Sequence, residues 1–216
     1  MSFGKLYGVR DNPRTTVSLV VAKENNLDVE LVAPRKDDPE YRKLNPLGKF
    51  PTFVGADGDV LTESIAIAIY FASQNEKTTL LGKTKKDYAA VIRWLSFSNT
   101  EVFPFLTSWF RPLIGAAPYD QKTVEEAKAT ALPRVSVLEQ HLSNRDFLVG
   151  DHLTLADLYV ASQLARGFQY VLDKAWRAEN PHLTRWYQAV TARPAWRAII
   201  EHPILIDEAP SGPLTK

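Results

Sequence analysis

There is no cysteine anywhere in this chain of 216 residues. That absence excludes disulfides, thiolate zinc sites, a cysteine nucleophile and a protein-borne redox thiol together. Any sulfur chemistry must arrive with a ligand. Histidine is scarce as well: His141, His152, His182 and His202 are scattered without paired helical spacing. No metal site is expected from them, and all four read as surface or capping residues. An excess of one charge is also missing. Lysines and arginines are interspersed with acids and leave a net charge of +1, which argues against a phosphate-tracking surface and against nucleic acid as a direct ligand. No apolar run approaches the length of a membrane span, and residues 1–5 lack the charged and apolar regions of a secretory leader. The expected address is cytoplasmic, without membrane association.

What is present supports well-formed cores: 45% of the residues are hydrophobic and 11% aromatic, in a length that holds one large domain or two small ones. Residues 3–9 alternate toward Leu6 and Val9 as a first strand, 15–24 show helical spacing at Val17, Val20 and Val21, and 28–33 alternate as a second strand. A polar, proline-flanked segment from Lys36 to Leu44 has room for a short helix. Residues 52–54 and 60–61 form a hairpin around Asp57-Gly58, and a helix follows over 63–73. The predicted order, βαβαββα, is a small mixed sheet with helical cover. A polar stretch with Lys77, Lys83, Lys85 and Lys86 reads as a solvated connector. Beyond it only helical periodicities appear, over 88–110, 120–142, 155–166 and 183–200, the last broken by Pro194. Pro104 is expected to kink or restart the first of these near Val102. Thr154-Leu-Ala-Asp157 is a capping box that opens a buried helix. The predicted organisation is residues 1–76, a linker 77–86, an all-helical domain 87–203 and a tail 204–216. Trp94 and Phe97 read as packing residues. Trp109 and Phe110, beside Arg111 near a helix end, are candidates to line a pocket.

The most informative stretch is Asn45-Pro-Leu-Gly-Lys-Phe-Pro-Thr-Phe53, followed by Leu61-Thr-Glu-Ser-Ile65. Pro51 lies in an apolar run and must occupy a strand start, an edge or a bulge, because it has no ladder donor. If the Phe50-Pro51 bond is cis, main-chain groups of Phe50 turn outward and can pair with an extended peptide. Glu63 and Ser64 open a helix. Free N–H groups and the dipole there attract a carboxylate, while the Glu63 carboxylate can hold an ammonium group. Taken singly, each motif is also an ordinary turn or cap. Taken together, they suit a ligand with a central peptide and an amino-acid head group, a description that matches glutathione.

Over nearly its whole length the chain resembles a cytosolic glutathione transferase. The matching pieces are Gly48-Lys-Phe-Pro51, Glu63-Ser64 leading into Ile65-Ala-Ile-Ala-Ile-Tyr70, and Leu153-Thr-Leu-Ala-Asp157. Within that superfamily, Leu44-Asn-Pro-Leu-Gly-Lys49, Ser73-Gln-Asn-Glu-Lys-Thr-Thr-Leu-Leu-Gly-Lys83 and Ala165-Arg-Gly-Phe168 are similar to the transferase-like domain of the gamma subunit of fungal translation elongation factor one B. The resemblance implies a thioredoxin-like first domain, an all-helical second domain, a glutathione site on the first, an acceptor pocket between them, and a homodimer. That subunit continues through a Lys/Pro/Ala-rich linker into another domain, whereas this chain closes on a short proline-containing tail. A stand-alone enzyme is therefore expected, with a non-catalytic module of the elongation factor complex, in contact with its subunits, as the alternative.

Members of the superfamily place a Tyr, Ser or Cys after the first strand to hold the thiolate. Here the loop reads Gly8-Val-Arg-Asp-Asn-Pro-Arg-Thr-Thr16, with Asp11 where a serine-type member has its hydroxyl. An ionised aspartate facing a thiolate raises the thiol pKa, so Asp11 is expected to point away. Asn12, Arg14 and Thr15, near the first helix start, are the candidate thiolate partners, with Tyr7 as a further option. Lys49 is the candidate for the glycyl carboxylate, beside Phe50, Pro51, Glu63 and Ser64. The expected activity is attack of the glutathione thiolate on an electrophilic apolar substrate. It ends in conjugation or in glutathione-dependent cis–trans isomerisation, in detoxification or fungal secondary metabolism.

Overall fold

Leu6 and Phe53 face each other on neighbouring strands and anchor the sheet around which the first half folds. The computed structural model describes residues 2–35 and 37–213. Met1, Lys36 and residues 214–216, and with them one end of the predicted 36–44 segment and the tip of the tail, lie outside the described residues. The elements β1 (Gly4–Tyr7), α1 (Pro13–Glu24), β2 (Val29–Val32), α2 (Pro39–Leu44), β3 (Thr52–Gly55), β4 (Val60–Thr62) and α3 (Ser64–Ser73) follow the predicted order. The strands lie as β2-β1-β3-β4. β1 is parallel to β2 and antiparallel to β3, and β3 is antiparallel to β4. One face is covered by α1 and α3, whose Val17, Val20, Ile67 and Phe71 join Leu6 and Phe53 in the core.

β1 stops at Tyr7 rather than reaching Val9, because the chain turns at Gly8. The Thr15 side chain there fills the space a Cβ would take, 2.5 Å from its ideal position. α1 begins two residues before the predicted start. Asn12 caps it by accepting from Arg14 N at 3.0 Å, and Pro13 takes the first helical position, where a missing N–H leaves nothing unpaired.

The second half is helical, as predicted: α4 (Lys85–Phe97), α5 (Phe103–Leu113), α6 (Gln121–His141), α7 (Leu155–Tyr170), α8 (Lys174–Glu179), α9 (Pro181–Thr191) and α10 (Pro194–Arg197). α4 starts at Lys85 rather than Tyr88 because Thr84 and Asp87 form a reciprocal capping box. Lys85 and Lys86, read as connector, are thus its first turn. Between α4 and α5 the residues Ser98–Val102 form a π turn, with Phe103 N donating to Ser98 O. Pro104 is the cause: it has no N–H to give and its ring crowds the carbonyl four residues back, so the ladder widens just before it. α7 runs past Arg166 through Gly167, where a Cβ would meet Leu106 and Leu172 at 3.2 Å. That glycine lets α5 and α7 cross closely. α8 has no buried residue and so carried no apolar signal. The tail docks as far as Ala209, through Ile206 N to Phe168 O at 3.0 Å, Lys174 N to Asp207 O at 3.2 Å and Ala209 N to Asp173 Oδ2 at 3.4 Å.

The capping box at α7 does more than start a helix. Asp157 is fully buried and accepts from Thr154 N at 2.8 Å, Thr154 Oγ1 at 2.9 Å, Leu148 N at 2.9 Å and Trp186 Nε1 at 2.9 Å. Burial pushes its carboxyl above the ordinary value, and these four donors oppose that rise.

Two sequence expectations fail in this half. Trp109 and Phe110 are packing residues. They sit in the apolar stripe of α5 and are buried in the core, Phe110 against Tyr170 at 5.5 Å between ring centroids. His141 is not on the surface, and although it precedes the turn at 142–144 its side chain does not cap it. It is half-buried against Trp94 at 4.7 Å, with Nε2 3.0 Å from Leu148 O. Among the described residues no helix is long and apolar enough to cross a membrane. Nor do any three of their His, Asp or Glu side chains cluster so as to hold a metal.

Candidate functional site

Four chain segments meet at the junction of the two halves: the start of α1, the loop before β3, the start of α3 and the π turn after α4. They enclose a polar cleft lined by Arg14, Lys49, Phe50, Pro51, Glu63 and Ser64, with Asn45 and Asn99 completing the wall. The structure therefore brings together Arg14 and all five residues singled out for ligand binding.

The loop before β3 is rigidly held. The Tyr41 hydroxyl and the Asn45 amide both donate to Lys49 O, and Asn45 Nδ2 also reaches Thr52 Oγ1 at 3.0 Å. Tyr41 and Thr52 close the triangle at 3.0 Å between hydroxyls. Burial raises the Tyr41 phenol above its ordinary value, so at neutral pH it keeps the proton it donates. The Phe50-Pro51 peptide bond is cis. Phe50 lies beside Tyr41, 5.5 Å between ring centroids.

At the start of α3, Glu63 takes φ 68° and ψ 118°, a sparsely populated conformation for a residue with a side chain. It is exposed, whereas Ser64 is buried with 6% of its surface accessible. Ser64 Oγ lies 2.9 Å from Tyr159 OH, which comes from α7. Burial raises the Tyr159 phenol, while Ser64 and Arg14 pull it the other way.

Arg14, in the first turn of α1, sends Nη2 to Asn99 Oδ1 at 2.9 Å and lies over the Phe103 ring at 4.7 Å. The guanidinium is thus held against the cleft by the π turn and by the residue that follows it. The other loop candidates sit elsewhere. The Asn12 side chain caps α1. Thr15 is buried under Gly8, and its hydroxyl has no hydrogen-bond partner among the described residues. Tyr7 stacks on Tyr41 at 5.9 Å. None of these three is among the residues that line the cleft. Asp11 turns away from the cleft and pairs with Arg166 at 2.9 Å.

Sequence reasoning missed Asn99 and Tyr159 as neighbours of the site, and gave Asn45 no role in it. Asn45 was legible as the residue that opens the Asn-Pro-Leu-Gly turn. Asn99 had an indirect signal in Pro104, whose helix break displays it. Tyr159 had none, because a buried helical tyrosine reads as core whatever its hydroxyl meets.

The cleft offers two cations, Arg14 and Lys49, one carboxylate, Glu63, and an open helix N-terminus at Ser64. Such an arrangement suits an extended zwitterionic ligand with more than one acidic group.

Comparison with known proteins agrees with this architecture. The N-terminal domain family of glutathione S-transferases matches residues 2–73, and the C-terminal domain family matches 102–194. The chain is 45% identical to the glutathione S-transferase stcT of Emericella nidulans, over 99% of both chains. It is also 45% identical to the glutathione S-transferase psoE of Aspergillus fumigatus, over 96% of this chain and 88% of that one. Among solved structures, the GST-like domain of elongation factor 1-gamma from Saccharomyces cerevisiae superposes with a TM-score of 0.87 at 34% identity, over 99% of this chain and 100% of that one. With both halves matched and relatives this similar along their full length, the chain belongs to the glutathione S-transferase family.

Proposed function

We propose that the protein binds glutathione in the cleft between its two halves and presents the thiolate to an electrophilic, apolar substrate. One observation carries the reading: Arg14, Lys49, Phe50, Pro51, Glu63 and Ser64 line a single cleft. In this reading the Ser64 end of α3 takes the γ-glutamyl carboxylate and Glu63 takes the ammonium group. Phe50 and Pro51 lie along the peptide, and Lys49 meets the glycyl carboxylate. Arg14 is the cation for the thiolate. It supplies the preferential stabilisation of about 2.7 kcal/mol that lowers a thiol pKa by roughly two units. With no cysteine in the chain, the sulfur nucleophile comes from the ligand. Glutathione supplies a thiol whose anion bonds to an electrophilic carbon, and it either stays in a conjugate or is released after bond rotation. The name of stcT or psoE brings with it only the transferase class.

Calorimetric titration of glutathione at neutral pH tests the reading, beside Glu63→Ala and Ser64→Ala. Binding by the parent that is weakened in both variants is the expected result. No binding by the parent overturns the proposal. Product analysis then divides its two branches: glutathione consumed into an adduct marks transfer, and glutathione recovered in full beside an altered substrate marks isomerisation.

A second reading, a module of a translation elongation complex, draws on the 34% identity with the yeast elongation factor domain. It expects stable co-purification with a nucleotide-exchange subunit and no turnover. We infer a cytoplasmic homodimer for either reading, to be checked by sedimentation and by fractionation.

A further inference from the structure

Ser64 and Tyr159 come from opposite halves of the chain, and their hydroxyls meet at 2.9 Å in a buried contact beside the cleft. We propose that Tyr159 is a positioning residue for the ligand site: its hydroxyl fixes the Ser64 hydroxyl so that the serine proton faces the γ-glutamyl carboxylate of bound glutathione. This rests on the glutathione reading above.

The argument is one of proton supply. A serine hydroxyl has one proton and two acceptor positions, and in isolation it rotates among them. In a hydroxyl pair one partner donates, and the direction decides what the cleft receives. If Ser64 donated to Tyr159, no serine proton would remain for a carboxylate. If Tyr159 donates, the serine proton is left over and the lone pair facing α7 is already used. Tyr159 has the proton to give, because burial raises its phenol further above neutrality. Its ring is fully buried, so the only freedom left is rotation of its O–H. The Arg14 guanidinium acts on the same phenol and carries donors only. Such a chain of like-directed donors polarises each member. A hydroxyl so fixed meets an anionic oxygen without first losing rotational freedom.

The test measures glutathione affinity by calorimetry for the parent, Tyr159→Phe, Ser64→Ala and the double variant. Each protein is also titrated with γ-aminobutyryl-cysteinyl-glycine, which is glutathione without the γ-glutamyl α-carboxylate. Tyr159→Phe is expected to weaken glutathione by about five- to tenfold, to add no further loss in the Ser64→Ala background, and to leave affinity for the analogue unchanged. A variant that binds glutathione like the parent, or that weakens both ligands alike, overturns this proposal and leaves the glutathione site standing. A parent that binds no glutathione overturns both. Should Tyr159→Phe fail to fold, meta-fluorotyrosine at position 159 keeps the hydroxyl and reports on the same contact. Its fluorine resonance must move with glutathione and stay still with the analogue; equal shifts, or none, refute the assignment.

Discussion

Arg14 Nη2 donates to Asn99 Oδ1 at 2.9 Å, which ties the first turn of α1 to the π turn of the helical half. The pair fixes a guanidinium that would otherwise be free to swing into solvent from a half-buried position. Phe103, four residues beyond Asn99, lies flat beneath the same group at 4.7 Å.

Arg14→Ala is expected to raise the pKa of the bound glutathione thiol by about two units. The loss of turnover should be largest at low pH and shrink as pH rises, because the thiol then ionises without help. Asn99→Ala acts in the same direction and more weakly. Tyr7→Phe leaves the thiol unchanged, since Tyr7 stacks on Tyr41 outside the cleft. Thiolate absorbance during a pH titration reads all three. An unaltered thiol in Arg14→Ala removes Arg14 from the role.

Glu63→Gln keeps the shape of the side chain and removes its charge. Glutathione affinity should fall about tenfold. Lys49→Ala should cost about threefold at low ionic strength, and that loss should vanish at high salt, because Lys49 is exposed and its attraction is screened. Calorimetry at two salt concentrations separates the two residues. A Lys49 effect that persists at high salt would point to a shielded contact instead.

Asp157→Ala leaves Leu148 N, Thr154 N and the Trp186 indole without their shared acceptor. A stability loss of about 3 kcal/mol or more is expected in denaturant unfolding. Asp157→Asn should also lose stability, because an amide turns donors toward donors on one side. A variant as stable as the parent would show that the box can be refilled by water.

His141 gives the fold a pH dependence of determinable sign. Burial is the main cause that lowers its folded pKa below the ordinary 6.5. The unfolded chain therefore binds more protons at mildly acidic pH, and stability must rise with pH through this window. The contribution is fully present above the unfolded value and is lost as pH falls through the folded one. His141→Gln, which keeps a donor for Leu148 O, should flatten the dependence of the melting midpoint between pH 5 and pH 7. A slope unchanged by the substitution assigns it to other groups.

Much of the fold was legible because local signals agreed with one another. Leu6 alternated with polar neighbours, Asp57-Gly58 marked the hairpin, and Pro104 marked the break where the π turn stands. Binding candidates on one continuous stretch, Lys49 to Ser64, were legible for the same reason: a strand entry and a helix entry lie close in sequence and stay close in space. Partners supplied by the other half were not. Asn99 reaches the cleft, and Tyr159 reaches Ser64 beside it, through long-range packing that no local pattern encodes. Trp109 and Phe110 misled because an aromatic pair near a helix end looks the same whether it faces a pocket or a neighbouring helix.

The π turn also makes the chain sensitive to length in an uneven way. A π turn holds one residue more than the regular winding needs, so deleting a residue within 98–102 would take away the slack that lets the ladder widen ahead of Pro104. The residues of the turn itself would then be drawn in from the positions they now hold, while the helix on either side keeps its facing. Asn99 would leave Arg14, and the guanidinium would lose its anchor. The surface loop at 114–120 can absorb insertions and losses. The middle of the α4–α5 stretch cannot, and a single-residue deletion there, far from Lys49 and Glu63 in sequence, would rewrite the cleft.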